Sequence, residues 1–224
     1  MDFRHEWKYE INRSDFYLLR QRLNCLLQSD PHACADGSYF ISSLYFDNGA
    51  DKALHEKLDG VDPREKYRLR YYNQDPELIF LERKRKVNGL CQKSQTPISK
   101  QDARQLLQGR LTVLQTPADP LRLQLYQAML SQGLRPKTIV TYRRYPYIYG
   151  PGNVRVTLDQ DIRTGVRSLD YLNPQALTIP AGDPIMLLEV KWDQFLPDFI
   201  RDLLRVPDRR SAAFSKYAIS RIFG

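Results

Sequence analysis

In the stretch KYRLRYY, residues 66–72, Lys66, Arg68 and Arg70 recur at every second position, with Tyr67, Leu69 and Tyr71 between them. Residues two apart on a β-strand project from the same face, so this spacing predicts a strand with one wholly cationic face. The habit repeats along the chain. Glu82, Lys84 and Lys86 share a face in LERKRK, with Leu81, Arg83 and Arg85 on the other. Arg4, Glu6 and Lys8 alternate with His5, Trp7 and Tyr9, and Arg143 stands between Tyr142 and Arg144. Arg155, Thr157 and Asp159 alternate with Val154, Val156 and Leu158; Glu189 and Lys191 alternate with Leu188, Val190 and Trp192. Rows of this kind suit anion binding: Arg offers a planar fork that matches phosphate oxygens two at a time, and Lys a point charge.

Any one such strand is most simply the solvated face of an antiparallel sheet. Six strands with the same habit fit that reading poorly, because a solvated face mixes Ser, Thr and Gln with its charges. Two cations roughly 4 Å apart repel by about 4 kcal/mol at an effective dielectric of about 20, and an anion relieves the cost. The pattern therefore predicts an inverted barrel: charges pointing inward around a polyanion, apolar faces packed against helices outside. The lone carboxylates admit two readings. Glu189, with Glu6 or Asp159 as helpers, suits Mg²⁺ or Mn²⁺ held among phosphate oxygens, since hard cations often need only one or two carboxylates plus the substrate. Equally, Glu6, Glu82 and Glu189 are placed to pair with neighbouring lysines, and for Glu82 that reading is at least as good.

The rest of the composition narrows the chemistry. The chain has 224 residues, 42% hydrophobic and 27% charged, with a formal net charge of +8. That is the make-up of a single globular domain, residues 1–224, with an anionic partner. Cys25, Cys34 and Cys91 show no CxxC spacing, which argues against a zinc site or disulfide framework and for a reducing cytoplasm. His5, His32 and His55 are far apart and read as surface or packing residues. MDFRHEWKYE lacks the apolar core of a signal peptide, and no apolar run approaches the roughly 20 residues of a membrane span. A cytoplasmic, soluble protein is expected.

Strands are predicted over 3–11, 38–47, 64–72, 77–87, 90–98, 137–149, 153–162 and 183–193. Asn88-Gly89 is a hairpin signal, and NQDP is the expected turn after residue 72. Helices are expected from a Ser14 cap to about Gln28 (Phe16, Leu19, Leu23 and Leu26/Leu27 inward), over 50–60, 99–109, and 119–132 with Leu121, Leu125, Met129 and Leu130 as its apolar residues. Two more are expected over 197–205 and around 211–222. Strands grouped between helices give an α+β class with a mostly antiparallel sheet.

RHEWKY, SSLYFD, KYRLRYY, LERKRK, TYRR, VRVTLD, LLEVKW and SKY, in that order, resemble the VTC domain, the polyphosphate polymerase branch of the triphosphate tunnel enzymes. The match runs from Arg4 to about Tyr217. The resemblance implies an antiparallel β-barrel tunnel, basic inside, with helices outside. It also implies transfer of the γ-phosphoryl of ATP onto inorganic polyphosphate with a divalent metal, often manganese. Carried over by motif, Lys8, Arg68, Arg70, Lys84 and Arg143 would bind the triphosphate, joined by Lys93 and Arg155. Glu189 resembles the metal ligand, and Lys216 the lysine that a C-terminal helix presents at the tunnel mouth. Hydrolases and cyclases of the superfamily carry E-x-E-x-K on the first strand. Here Arg4 stands in place of the first glutamate, before Glu6 and Lys8, which favours the polymerase branch.

Two alternatives stand beside this. One is a tripolyphosphatase or nucleoside triphosphatase of the same fold. The other is a polyphosphate-binding module without catalysis. Specific nucleic-acid binding is disfavoured because no RNP-type or GxxG signature is present. A membrane partner that receives the product is compatible with the chain.

Overall fold

The computed structural model describes residues 3–206 and 214–222. The chain runs β1 His5–Ile11, α1 Arg13–Leu26, β2 Gln28–Ser29, β3 Tyr39–Asp47, α2 Lys52–Leu58, β4 Arg64–Tyr72, β5 Asp75–Val87, β6 Leu90–Ile98, α3 Lys100–Leu107 and α4 Pro120–Ser131. It continues through β7 Arg135–Tyr149, β8 Val154–Thr164, β9 Ile179–Pro180, β10 Met186–Trp192, α5 Asp198–Leu203 and α6 Lys216–Ile222. All strands join one antiparallel sheet in the order β1-β10-β8-β7-β3-β4-β5-β6, with β2 added to β7 and β9 to β8. The sheet curls far enough for its two edges to touch: Arg4, just before β1, exchanges backbone hydrogen bonds of 2.9 and 3.0 Å with Cys91 of β6.

Helices α1, α3, α4 and α5 lie on the convex face, where the apolar half of each alternation is buried. Ala53 of α2 and Tyr217 of α6 instead cluster with Tyr39, Tyr45 and Tyr142 on the other face, so these two helices are not wholly outside, contrary to expectation. Tyr67, Leu69 and Leu81 share one core cluster with Leu106 of α3 and Leu121 and Leu125 of α4. Val156, Leu158 and Val190 share another with Phe16, Leu19 and Leu23 of α1. Each fully buried Leu or Phe contributes about 1.5–3 kcal/mol, so this face carries the stability. No helix among the described residues is long and apolar enough to cross a membrane.

Several local expectations shift. The α1 cap is Asn12, whose side chain accepts from the Asp15 amide while Asp15 accepts from the Asn12 amide. This reciprocal box satisfies two orphan donors, and Ser14 lies inside the helix. The chain leaves α1 after Leu26 because Gln28 and Ser29 pair with Ile148 and Tyr147. Leu26 and Leu130 are exposed, while Leu27 and Met129 take the inward positions. Asp75 and Pro76 belong to β5, and the turn is Asn73-Gln74, both with positive φ (52° and 59°). Asn88 and Gly89 (φ 50° and 78°) make the expected hairpin turn. Residues 211–213 of the expected last helix lie outside the described residues.

Asp47 ties the far end of the chain to the sheet. It is fully buried at the end of β3, accepts from the Ala53 and Leu54 amides at 2.9 and 3.2 Å, and receives the Tyr217 hydroxyl at 2.5 Å. It thereby caps α2, whose own preceding residue, Asp51, makes no side-chain cap bond, and it anchors α6. Asp47→Ala removes a cap and leaves a buried hydroxyl unpaired, so stability should fall by about 2–4 kcal/mol. In urea unfolding the midpoint should drop with the slope unchanged.

Candidate functional site

The concave face encloses a cavity of about 750 Å³. Lys66, Arg68 and Arg70 reach it from β4, Lys84 and Lys86 from β5, and Lys93 from β6. Lys8 enters from β1, Arg155 from β8 and Lys216 from α6. The alternation therefore turns one face of each strand toward a common space.

Inside, Glu6, Glu82 and Glu189 are each shared among cations. Glu82 accepts Arg68 at 2.6–2.7 Å and Lys93 at 3.3 Å, with Arg70 at 3.9 Å. Tyr45 and Tyr142 accept from Arg68 and Arg70 at 2.8 and 3.0 Å, and Ser43 accepts from Arg70 at 3.2 Å. Both guanidinium planes are thus held before any ligand arrives. Glu6 takes Lys84 at 2.8 Å, Lys8 at 3.2 Å and Lys191 at 3.5 Å. Glu189 takes Lys191 at 2.9 Å and Arg144 at 3.0 Å. Burial alone would raise the Glu6 carboxyl, but Lys84 and Lys8 outweigh it and hold it down at about 2. Glu189 is likewise held well below the usual range, by Lys191 and Lys8 against burial. In this structure Glu6, Glu82 and Glu189 are thus each ion-paired.

Arg143 and Asp159 stand apart from the expected set. Arg143 faces outward, bonded to Asp36 at 3.2 Å and Ser38 at 3.0 Å. Its neighbour Arg144, with Tyr142, faces the cavity. Adjacent residues of a strand project to opposite faces, so only one of the two arginines in TYRR can point in. The same period in Tyr142 and Arg144 is the signal that finds it. Asp159 is fully buried behind the lining, gripped by Arg144 at 2.6 and 2.7 Å and by Lys216 at 2.6 Å. It orients two cations, and Arg144 bridges it to Glu189. Lys191 and Arg4 also line the cavity, Arg4 spending its guanidinium on Asp193 at 2.6 Å.

Among the described residues no group of three or more His, Cys, Asp or Glu is gathered to hold a metal ion. Glu6 and Glu189 do lie against each other on the cavity wall, since each perturbs the other's ionisation. Two carboxylates with phosphate oxygens form a donor set that Mg²⁺ or Mn²⁺ accepts. The residues present fit such an ion in company with a phosphate ligand.

A family model described as the VTC domain matches residues 3–222. The chain belongs to the VTC domain family. Among solved structures, a Hippeastrum protein reported as a candidate adenylyl cyclase with a dominant triphosphatase activity superposes with TM-score 0.60 at 14% identity. That match covers 97% of this chain and 94% of that one. A candidate adenylate cyclase from Bacillus halodurans gives TM-score 0.52 at 14% identity, over 85% and 80%. At this identity the likeness is one of fold. Comparison with curated proteins gives no match.

Lys66 carries the clearest electrostatic signature. Burial, then Lys84, Lys57, Lys8 and Arg64, push its ammonium down to about 7. Between that value and the unfolded lysine value of about 10.4 the unfolded chain binds more protons, so stability rises with pH across this window. The Lys66 charge is therefore a full burden below pH 7 and none above about pH 10.4. Lys66→Met should raise the ligand-free melting temperature at pH 6, with the gain shrinking toward zero by about pH 10.4. Calorimetry across that range checks it; a gain independent of pH would show that packing and not charge is responsible.

Proposed function

We propose that the curled sheet is a closed tunnel in which this protein moves the γ-phosphoryl of ATP onto the end of an inorganic polyphosphate chain. The observation that supports this most directly is the convergence of cations from β1, β4, β5, β6, β8 and α6 on one cavity, several of them already oriented by hydrogen bonds. Membership of the VTC domain family favours the same chemistry.

In this reading Arg68 and Arg70 grip the triphosphate, with Lys8, Lys84, Lys93 and Lys216 adding charge around it, and Arg144 takes the part expected of Arg143. An oxygen of the acceptor's terminal phosphate attacks the γ-phosphorus in line, the bond from γ-phosphorus to the β-bridging oxygen breaks, and ADP leaves with the charge of that oxygen. The cations hold donor and acceptor together and neutralise the equatorial oxygens as the transfer proceeds. The acceptor phosphate is already largely ionised near neutral pH, its second pKa being about 6, so no strong general base is required. Glu6 and Glu189 would hold the divalent ion, which when bound supplies charge neutralisation at phosphate oxygens. Arg155, tied to Asp30 at 2.8 Å and to Tyr39, would meet the anion at the wall of the cavity.

Arg68→Ala and Arg70→Ala should each weaken tripolyphosphate binding at least about 30-fold, the equivalent of about 2 kcal/mol for a lost charge-assisted pair. Arg143→Ala should change it by less than about threefold, as its side chain lies on the other face. Calorimetric titration measures both, and equal losses at Arg143 and Arg68 would undo the assignment.

The second reading is a triphosphatase with water as acceptor, triphosphatase being the dominant activity reported for the structurally similar Hippeastrum protein. Arg4 where a first glutamate would stand, held by Asp193, speaks against it. Incubation with ATP, Mn²⁺ and a short polyphosphate primer should yield long polymer and ADP on a sizing gel, and Glu189→Gln should lose this metal-dependent product. Free phosphate from tripolyphosphate without polymer would favour hydrolysis.

A further inference from the structure

The cations of the cavity divide by what neutralises them. Arg68, Arg70 and Lys93 share Glu82, Arg144 and Lys216 share Asp159, and Lys8, Lys84 and Lys191 lie against Glu6. Four other lining cations have no carboxylate within 4.0 Å among the described residues: Lys57 of α2, Arg64 and Lys66 of β4, and Lys86 of β5. All four are half-buried. Among the described residues Arg64 donates to the Val61 carbonyl, at 2.5 Å. Lys66 donates to the Ser215 hydroxyl at 3.3 Å and sits 5.1 Å from the Tyr217 ring centroid.

Strand register sharpens the imbalance. Arg64 is directly opposite Lys86, and Lys66 directly opposite Lys84. Like charges facing each other across a ladder destabilise it, and here two such pairs are adjacent on one face, where of the four cations only Lys84 has a carboxylate, Glu6, beside it. On the same face of β4, Lys66 and Arg64 precede Arg68 by two and four residues, about 7 and 13 Å along the strand. The excess charge therefore begins where the Arg68 grip ends.

We propose that Lys57, Arg64, Lys66 and Lys86 form a second phosphate subsite, filled only by a phosphate chain long enough to extend along β4 past Arg68. It rests on the reading of the cavity as a phosphate-chain site and adds to it a basis for preferring long chains to short ones. It also predicts a proton count. The groups facing Lys66 are Arg64 on its own strand, Lys84 from β5, Lys57 from α2, Lys8 from β1, and Ser215 and Tyr217 from the C-terminal segment. None of these is an acid, and their combined effect with burial leaves Lys66 largely neutral one pH unit above its value of about 7. A chain of negative charge beside it restores the proton.

The test is calorimetric titration of the full chain, one pH unit above the Lys66 value, with tripolyphosphate and with long-chain polyphosphate, each in two buffers of different ionisation enthalpy. The long chain should bind more tightly and take up close to one proton; tripolyphosphate should take up none. The double variant Lys57→Gln/Lys86→Gln should weaken long-chain binding at least about tenfold and leave tripolyphosphate binding unchanged, which also reports that it folds. Lys66→Arg should keep the long-chain affinity and lose the proton uptake, because guanidinium stays charged. Equal affinity for both ligands, or equal weakening of both in the double variant, overturns the subsite while leaving the triphosphate site intact. Failure of tripolyphosphate to bind the unaltered protein would overturn the cavity assignment itself.

Discussion

The structure depends on one constraint: a charged side chain turned away from bulk water is costly unless it is paired, and here an entire sheet face is turned inward. A charge left buried without a partner costs several kcal/mol. The fold meets much of this cost by letting single carboxylates serve two or three cations. Glu82 serves Arg68, Arg70 and Lys93; Glu6 serves Lys84, Lys8 and Lys191; Asp159 serves Arg144 and Lys216. Because one acid is divided among several bases, the wall keeps a surplus of positive charge. The outer apolar face, packed against α1, α3 and α4, sustains that surplus.

The same pairs prepare the cavity for an anion. Arg68 is held between Glu82 and Tyr45, and Arg70 between Ser43 and Tyr142, so their donors are aligned without reorganisation when a phosphate arrives. Asp47 extends this order to the C-terminal helix. By binding Tyr217 it sets α6 against the sheet, and Lys216, the preceding residue, then reaches Asp159. Positioning at the site is thus inherited from buried residues that touch no ligand.

Much of the fold was legible because its signals are local. The alternation in KYRLRYY, LERKRK and VRVTLD assigned strands and their faces, and Asn88-Gly89 assigned a hairpin, since only residues tolerant of positive φ suit that turn. The misses were also local in origin. Ser14 and Asn12 are both good caps, and the choice between them went to the residue with a reciprocal acid three positions on, Asp15. Gln28–Ser29 and Ile179–Pro180 are too short to show a period, and they exist as strands only because β7 and β8 offer them edges.

The sequence by itself determined that several strands each carry a cationic face, that these strands are ordered as in the VTC domain family, and that acids punctuate the cations. Periodicity is a property of neighbouring residues, so it can be read without knowing the fold. Tertiary structure decided which face turns inward and which acid meets which base. Arg144 entered the cavity and Arg143 did not because β7 pairs Tyr39 with Arg144 on one side and shifts register between Thr141 and Arg143 on the other. Asp159 became a buried clamp because α6 brings Lys216 to it from the far end of the chain. Such contacts depend on register and curvature across the whole sheet, and no local stretch of sequence contains them.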